Sequence, residues 1–223
     1  MPSTKITFQL WSPLHESFQK RLSRLRRDAV LDELFKSELA KLDEEIPQGN
    51  TPASCAFIES NLRRVLKEEG RQVSVQLSQD TADLLASVCA SKKIPRLAFL
   101  NRLLLLLLAK PEFIATHLFD EKPRALRLLA ADISNQYAAG GMEEDTFFVP
   151  LATVNRVLDD PFWGYRELMK TVFKNDDPPP TLYTRYFDRE PLLGFNCRVS
   201  DEHVPGTDAF RAEREFWQTL RTE

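Results

Sequence analysis

Residues 73–80, VSVQLSQD, decide how the chain is read. Val73, Val75 and Leu77 share one parity, and Ser74, Gln76 and Ser78 share the other. This is the strict alternation of a strand with one wet face. Such a strand needs a partner for its backbone groups and its apolar face. No hairpin turn follows it; Asp80 and Thr81 open a helix instead, so the partner has to come from elsewhere in the chain. Sliding the segment backwards finds ITFQLWSP at 6–13, at a constant offset of 67 residues. Ile6, Phe8 and Leu10 fall on Val73, Val75 and Leu77, and Thr7 and Gln9 fall on Ser74 and Gln76.

The likeness continues past the strand. Ser12-Pro13 offers an N-cap followed by a proline at the first helical position, and Ser78 with Asp80 offers the equivalent start. A first helix then carries Leu14, Phe18, Leu22 and Leu25 in one unit and Leu84, Leu85, Val88 and Cys89 in the other. Each ends in a basic stretch, Arg24 to Arg27 and Lys92-Lys93. A second helix follows, striped by Val30, Leu31, Leu34, Phe35, Leu39 and Leu42, or by Leu97, Leu100, Leu103, Leu104, Leu107 and Leu108. The register slips by about two residues before this helix. The repeating unit is strand, helix, helix.

Strand–helix–helix with a half-polar strand, a basic turn and a Leu-rich second helix resembles the ribbon-helix-helix DNA-binding proteins of the Arc, MetJ and CopG type. The resemblance covers residues 5–46 and 72–110, with 47–71 as a helical linker. Copy one departs from the family in placing Asp28, Asp32 and Glu33 early in its second helix. In the family two chains pair their strands antiparallel, so two copies in one chain imply an intramolecular pseudo-dimer. The expected fold is mainly α with a small antiparallel ribbon: a tandem ribbon-helix-helix domain at 1–110 and an acidic α+β extension at 111–223.

A two-stranded ribbon fits the major groove of B-DNA and presents alternate side chains to base edges. The resemblance therefore implies that Thr7, Gln9, Ser74 and Gln76 read bases, flanked by Lys5 and Gln72. Gln suits adenine N6/N7, and hydroxyls bond several base edges. Phosphates are expected at the start of each second helix, where free N–H groups attract anions. Arg26 and Arg27 would serve in copy one, Lys92, Lys93 and Arg96 in copy two, with Lys5 beside the ribbon. Because Thr7 faces Ser74 rather than a copy of itself, the expected DNA site is an imperfect inverted repeat. Trp11 has no aromatic counterpart at Ser78 and reads as ribbon-edge packing.

Bulk composition agrees with this division. The chain has 223 residues and a net charge of −3. Residues 1–110 carry 17 Lys/Arg against 13 Asp/Glu, and the remainder carries 13 against 20. A basic first half suits a polyanionic partner; the acidic second half suits a protein partner or self-association. Cys55, Cys89 and Cys197 are scattered, which speaks for reduced thiols in the cytoplasm and against a disulfide frame or zinc site. His15, His117 and His203 are scattered too. The run LNRLLLLLLA (100–109) is too short to span a bilayer and contains Asn101 and Arg102, so it reads as a buried core helix.

The remaining segments give no family. A helix is expected at 52–70, closed by Gly70, and another at 123–139. Strands are expected at 147–151, 181–187 and 192–199, the last two as a hairpin about residues 188–191. An aromatic helix is expected at 161–174 and a final helix from about 208 to 221. No nucleophile with a base, paired carboxylates with His, metal-ligand cluster or Gly-rich phosphate loop is present, so neither catalysis nor a cofactor is expected. The expected role is a transcriptional repressor or an accessory protein of plasmid transfer. The competing reading is an antitoxin-like or defence-system interaction subunit on the same scaffold.

Overall fold

The strand that needs a partner finds it near the start of the chain. β1 (Ser3–Trp11) and β2 (Gly70–Ser78) pair antiparallel, with Ser3 opposite Ser78, Thr7 opposite Ser74 and Trp11 opposite Gly70. The structure, a computed structural model, describes residues 3–22, 26–109, 160, 162, 165–166, 169 and 181–222. Around the ribbon lie α1 (Ser12–Arg21), α2 (Arg27–Glu45), α3 (Pro52–Glu69), α4 (Gln79–Ser91) and α5 (Arg96–Leu108), followed by two single 3₁₀ turns (Leu192–Phe195, Asp201–His203) and α6 (Asp208–Thr222). The described chain is thus mainly helical with one two-stranded antiparallel sheet.

The alternation fixes which face of the ribbon is buried. Phe8, Leu10, Val73, Val75 and Leu77 are buried and Ile6 is half-buried against the helices. Full burial of one such side chain contributes about 1.5–3 kcal/mol. A one-residue slip would turn all of them to water, so the register is strongly specified. α2 packs on β2 and α4, and α5 packs on β1 and α1.

Local signals place the helix ends. Ser78 caps α4, its hydroxyl accepting from the Thr81 N–H at 3.3 Å. Ser12 does not cap α1; Trp11 holds that position, and its N–H is bonded by Asn101 instead. Thr51 caps α3 by accepting from the Ser54 N–H at 3.1 Å, with Pro52 at the first helical position. Gly70 ends α3 and at once begins β2. A Cβ there would sit 2.2 Å from the Leu66 carbonyl oxygen, so glycine is what allows a helix to run into a strand without a loop.

α5 is the buried helix its sequence suggests: every residue from Ala98 to Leu108 is buried. Arg102 is its exception in chemistry, not in burial. It donates to the carbonyls of Leu182 at 2.6 Å, Arg185 at 2.8 Å and Phe195 at 3.4 Å, and its guanidinium lies 4.3 Å from the centre of the Phe187 ring. Burial pulls its pKa down. Guanidinium nonetheless keeps its charge, so the carbonyl cage and the ring face must replace its hydration.

The strands expected at 181–187 and 192–199 do not form. Residues 181–191 are turns and irregular chain, and Leu192–Phe195 is a 3₁₀ turn. Side chains replace the ladder. Asn196 accepts from the Phe187 N–H at 2.7 Å and donates to the Phe187 and Leu193 carbonyls at 2.9 and 3.0 Å, while Arg102 takes three more carbonyls. Burial also falls on consecutive residues, Leu182-Tyr183 and Gly194 to Cys197, which a two-faced strand cannot provide.

This segment belongs to the same core as the helices. Leu182, Tyr183, Phe187, Leu192, Phe195, Cys197, Val199 and Val204 pack in one cluster with the ribbon and α1–α5. A Cβ on Gly194 would come within 2.6 Å of the Leu62 Cα, so α3 is gripped between this turn and the ribbon. Asn50 closes the seam, donating to the Lys93 and Cys197 carbonyls and accepting from the Val199 N–H at 3.0 Å. The helix expected at 123–139, the strand at 147–151, residues 23–25 and most of 161–174 lie outside the described residues. Phe162, inside that last segment, is buried. Among the described residues no helix is long and apolar enough to cross a membrane.

Candidate nucleic-acid interface

Pairing the strands leaves one polar face on the ribbon. Lys5, Thr7, Gln9, Gln72 and Gln76 are exposed on it, and Ser74 is partly exposed. The register sets Lys5 opposite Gln76, Thr7 opposite Ser74 and Gln9 opposite Gln72. At the middle, the Thr7 and Ser74 hydroxyls hydrogen-bond at 2.9 Å. Those two residues are also the ones related by the 67-residue offset. All four residues expected to read bases therefore lie on one continuous surface. It offers amides and hydroxyls two residues apart along each strand, able to donate and accept.

The second helices are tied to the ribbon ends by a matching pair of polar contacts. Asp32 of α2 accepts from the Ser78 N–H at 2.7 Å and from its hydroxyl at 3.0 Å. Asn101 of α5 accepts from the Trp11 N–H at 2.9 Å and donates to the Gln9 carbonyl at 3.0 Å. Ser78 and Trp11 occupy equivalent places in the two units. In the sequence Asp32 reads as a departure from pattern and Asn101 as a residue unsuited to a membrane span. The signal that could have found them is a short polar residue on the apolar stripe of each second helix, one turn in.

The expected phosphate-binding residues are dispersed in their circumstances. Lys5, Arg26, Lys93 and Arg96 are exposed or partly exposed. Lys93 also turns the chain between α4 and α5 with φ 52°. Arg27 is engaged within the fold: its side chain is 16% exposed, donates to the Ser74 carbonyl and to Asp28 at 3.2 Å each, and lies 5.2 Å from the centre of the Phe18 ring. Lys92 is engaged as well, its ammonium 3.0 Å from Asp43 and its side chain 14% exposed. The guanidinium of Arg96 makes no hydrogen bond or ion pair with another described residue.

Comparison with protein-family models, curated proteins and solved structures finds no match to this chain.

A second polar cluster lies under α2, and its chemistry is closed. Glu38 is fully buried and accepts from Arg166 at 3.0 Å, Lys41 at 3.0 Å and the Tyr183 hydroxyl. Arg166 also bonds Glu45 and, at 3.1 Å, Asp160. Burial, with the Glu38 carboxylate beside it, raises the Tyr183 pKa well above its ordinary value. The described partners satisfy one another, so the cluster anchors Asp160, Arg166 and Tyr183 to α2. Among the described residues no group of three or more His, Cys, Asp or Glu side chains could hold a metal ion.

Proposed function

We propose that this chain binds double-stranded DNA sequence-specifically, as a tandem ribbon-helix-helix pseudo-dimer that lays its ribbon in the major groove. The observation that carries the reading is the ribbon's exposed face, where Thr7, Gln9, Ser74 and Gln76 stand together around the Thr7–Ser74 pair. Antiparallel pairing that opposes residues one repeat apart is what a two-fold relation between the units requires. The crossed packing of α2 and α5 and the matching Asp32 and Asn101 contacts support the same relation. On this reading Gln9 and Gln76 address adenine, the hydroxyls address the central step, and Lys5, Arg26 and Arg96 meet phosphate. The role this serves is repression of transcription or assistance to a mobile element in the cytoplasm, with the acidic second half available to a partner.

Selection of duplexes from a random pool by the full-length protein tests this. The expected product is an imperfect inverted repeat; a perfect palindrome, or no enrichment, contradicts the pseudo-dimer reading. Charge reversal at Lys5 and Arg96 should weaken binding and reduce the salt slope. Lys92→Glu is a poor probe, because it sets a carboxylate against Asp43 and disturbs the fold.

One observation favours a second reading, an interaction subunit on the same scaffold. α6 exposes Phe216 and Trp217 by 56% and 53%, large apolar groups of the kind that mark a protein contact.

A further inference from the structure

The two ends of the ribbon differ in what they offer a polyanion. At the Lys5–Gln76 end, Lys5 and Arg26 are exposed, but Arg27 is stacked and bonded inside the fold, and Asp28 lies beside it. Asp80 and Asp83 are both exposed on the first turns of α4, which leaves the same ribbon end. At the Gln9–Gln72 end, Arg96 opens α5 with its guanidinium unengaged by described residues. It faces a groove of about 270 Å³ that it shares with Gln9, Arg63 of α3 and the apolar wall of Leu62, Leu66 and Leu97. Lys67 stands exposed one turn beyond Arg63, and Arg71 is exposed where β2 begins.

The acids at this end are already engaged or outnumbered. Glu59, which also lines the groove, is paired with Arg63 at 3.1 Å, and Glu69 holds the Trp11 indole N–H. Glu68 is exposed and unmatched by a described contact. The Arg63–Glu59 pair is solvent-exposed on both sides, and such pairs contribute only about 0–1 kcal/mol, so Arg63 is easily drawn to a stronger anion. A phosphodiester, with its fixed charge and paired oxygens, is such an anion.

We propose that α3, the helix linking the two units, is a second DNA-backbone contact: Arg63, Lys67 and Arg96 hold the sugar-phosphate strand on the Gln9–Gln72 side of the ribbon. The inference rests on the DNA-binding reading. Its consequence is a lopsided footprint. The protein binds its site in one orientation and covers more backbone on the α3 side than on the side of α2.

The test is hydroxyl-radical footprinting of the full-length protein on a duplex recovered from the random pool. In R63E/K67E/R96E, protection should disappear from one flank and persist over the centre and the opposite flank. The salt slope should fall by about 0.9 for each phosphate that the variant no longer neutralises. Lys5→Glu should weaken the opposite flank instead. If the triple variant loses its helical circular dichroism, R63Q/K67Q/R96Q replaces it and must give the same one-sided loss. Protection that is unchanged, or that falls equally on both flanks, overturns the inference while leaving DNA binding intact. A wild-type protein that enriches no duplex overturns the DNA reading and this inference with it.

Discussion

Asp32 looks misplaced in the sequence, an acid near the start of a helix expected to meet phosphate. In the fold its carboxylate accepts both the backbone N–H and the hydroxyl of Ser78. Removing it leaves a partly buried N–H at a helix start without an acceptor, a loss worth about 1–3 kcal/mol. Asp32→Ala and Asn101→Ala should each lower the unfolding free energy measured in urea by that amount, and Asp32→Asn should restore part of it. Arg102 carries higher stakes, because two buried carbonyls and a third partly buried one depend on it. Arg102→Met should cost at least about 3 kcal/mol, since each buried polar group stranded costs about 1–3 kcal/mol. An unchanged urea midpoint in Arg102→Met would mean that the segment 181–195 is not held by this side chain. Neither Asp32 nor Arg102 announces its role in the sequence, since both bond backbone atoms brought near only by the tertiary fold.

At the scale of elements, legibility followed periodicity. The strand read within 73–80 (β2, Gly70–Ser78, in the fold), its partner 67 residues earlier and the Leu-rich α5 were readable because period-2 and period-3.6 patterns survive without context. The helix expected at 52–70 was readable from Gly70, which closes it, while its Thr51 cap went unread. The hairpin expected at 181–199 was not there, because its apolar residues come consecutively and its backbone is satisfied by Asn196, by the Thr181 and Thr184 hydroxyls, which accept from each other's N–H, and by Arg102. β-rich composition alone does not make a strand when side chains offer the backbone another set of partners. Gly70 carries a prediction of its own. Gly70→Ala places a methyl group within 2.2 Å of the Leu66 carbonyl oxygen, so it should lower thermal stability. The helical circular dichroism lost on unfolding gives the midpoint, and an unshifted midpoint would show that α3 and β2 can part at little cost.

At the scale of the molecule, residues 181–204 share one core with the ribbon and α1–α5, so this later segment contributes to the stability of the earlier one. That core also sets a pH limit. Burial pushes the Cys89 and Cys197 thiols up from 9.0 to about 12, and burial with Glu38 raises Tyr183. Folding favours the neutral form of each group. Their contribution is therefore complete below pH 9.0, the ordinary thiol value, and is lost as pH rises towards about 12. The urea midpoint should fall along that limb, and less steeply in C89A/C197A; identical limbs would mean that the thiols do not set it. The same thiols should resist modification in the native state, because the reactive thiolate is disfavoured.

If the ribbon's outer face reads DNA, specific and non-specific affinity must respond differently to changes on that face. Fluorescence anisotropy at physiological salt, on the selected duplex and on a scrambled one, gives the ratio of the two for wild type and for Q9A/Q76A. The double substitution should lower the ratio by at least about tenfold, since a bidentate amide–adenine pair is worth about 1–3 kcal/mol. Affinity for the scrambled duplex should stay nearly constant. A ratio unchanged by Q9A/Q76A would contradict direct readout by this face.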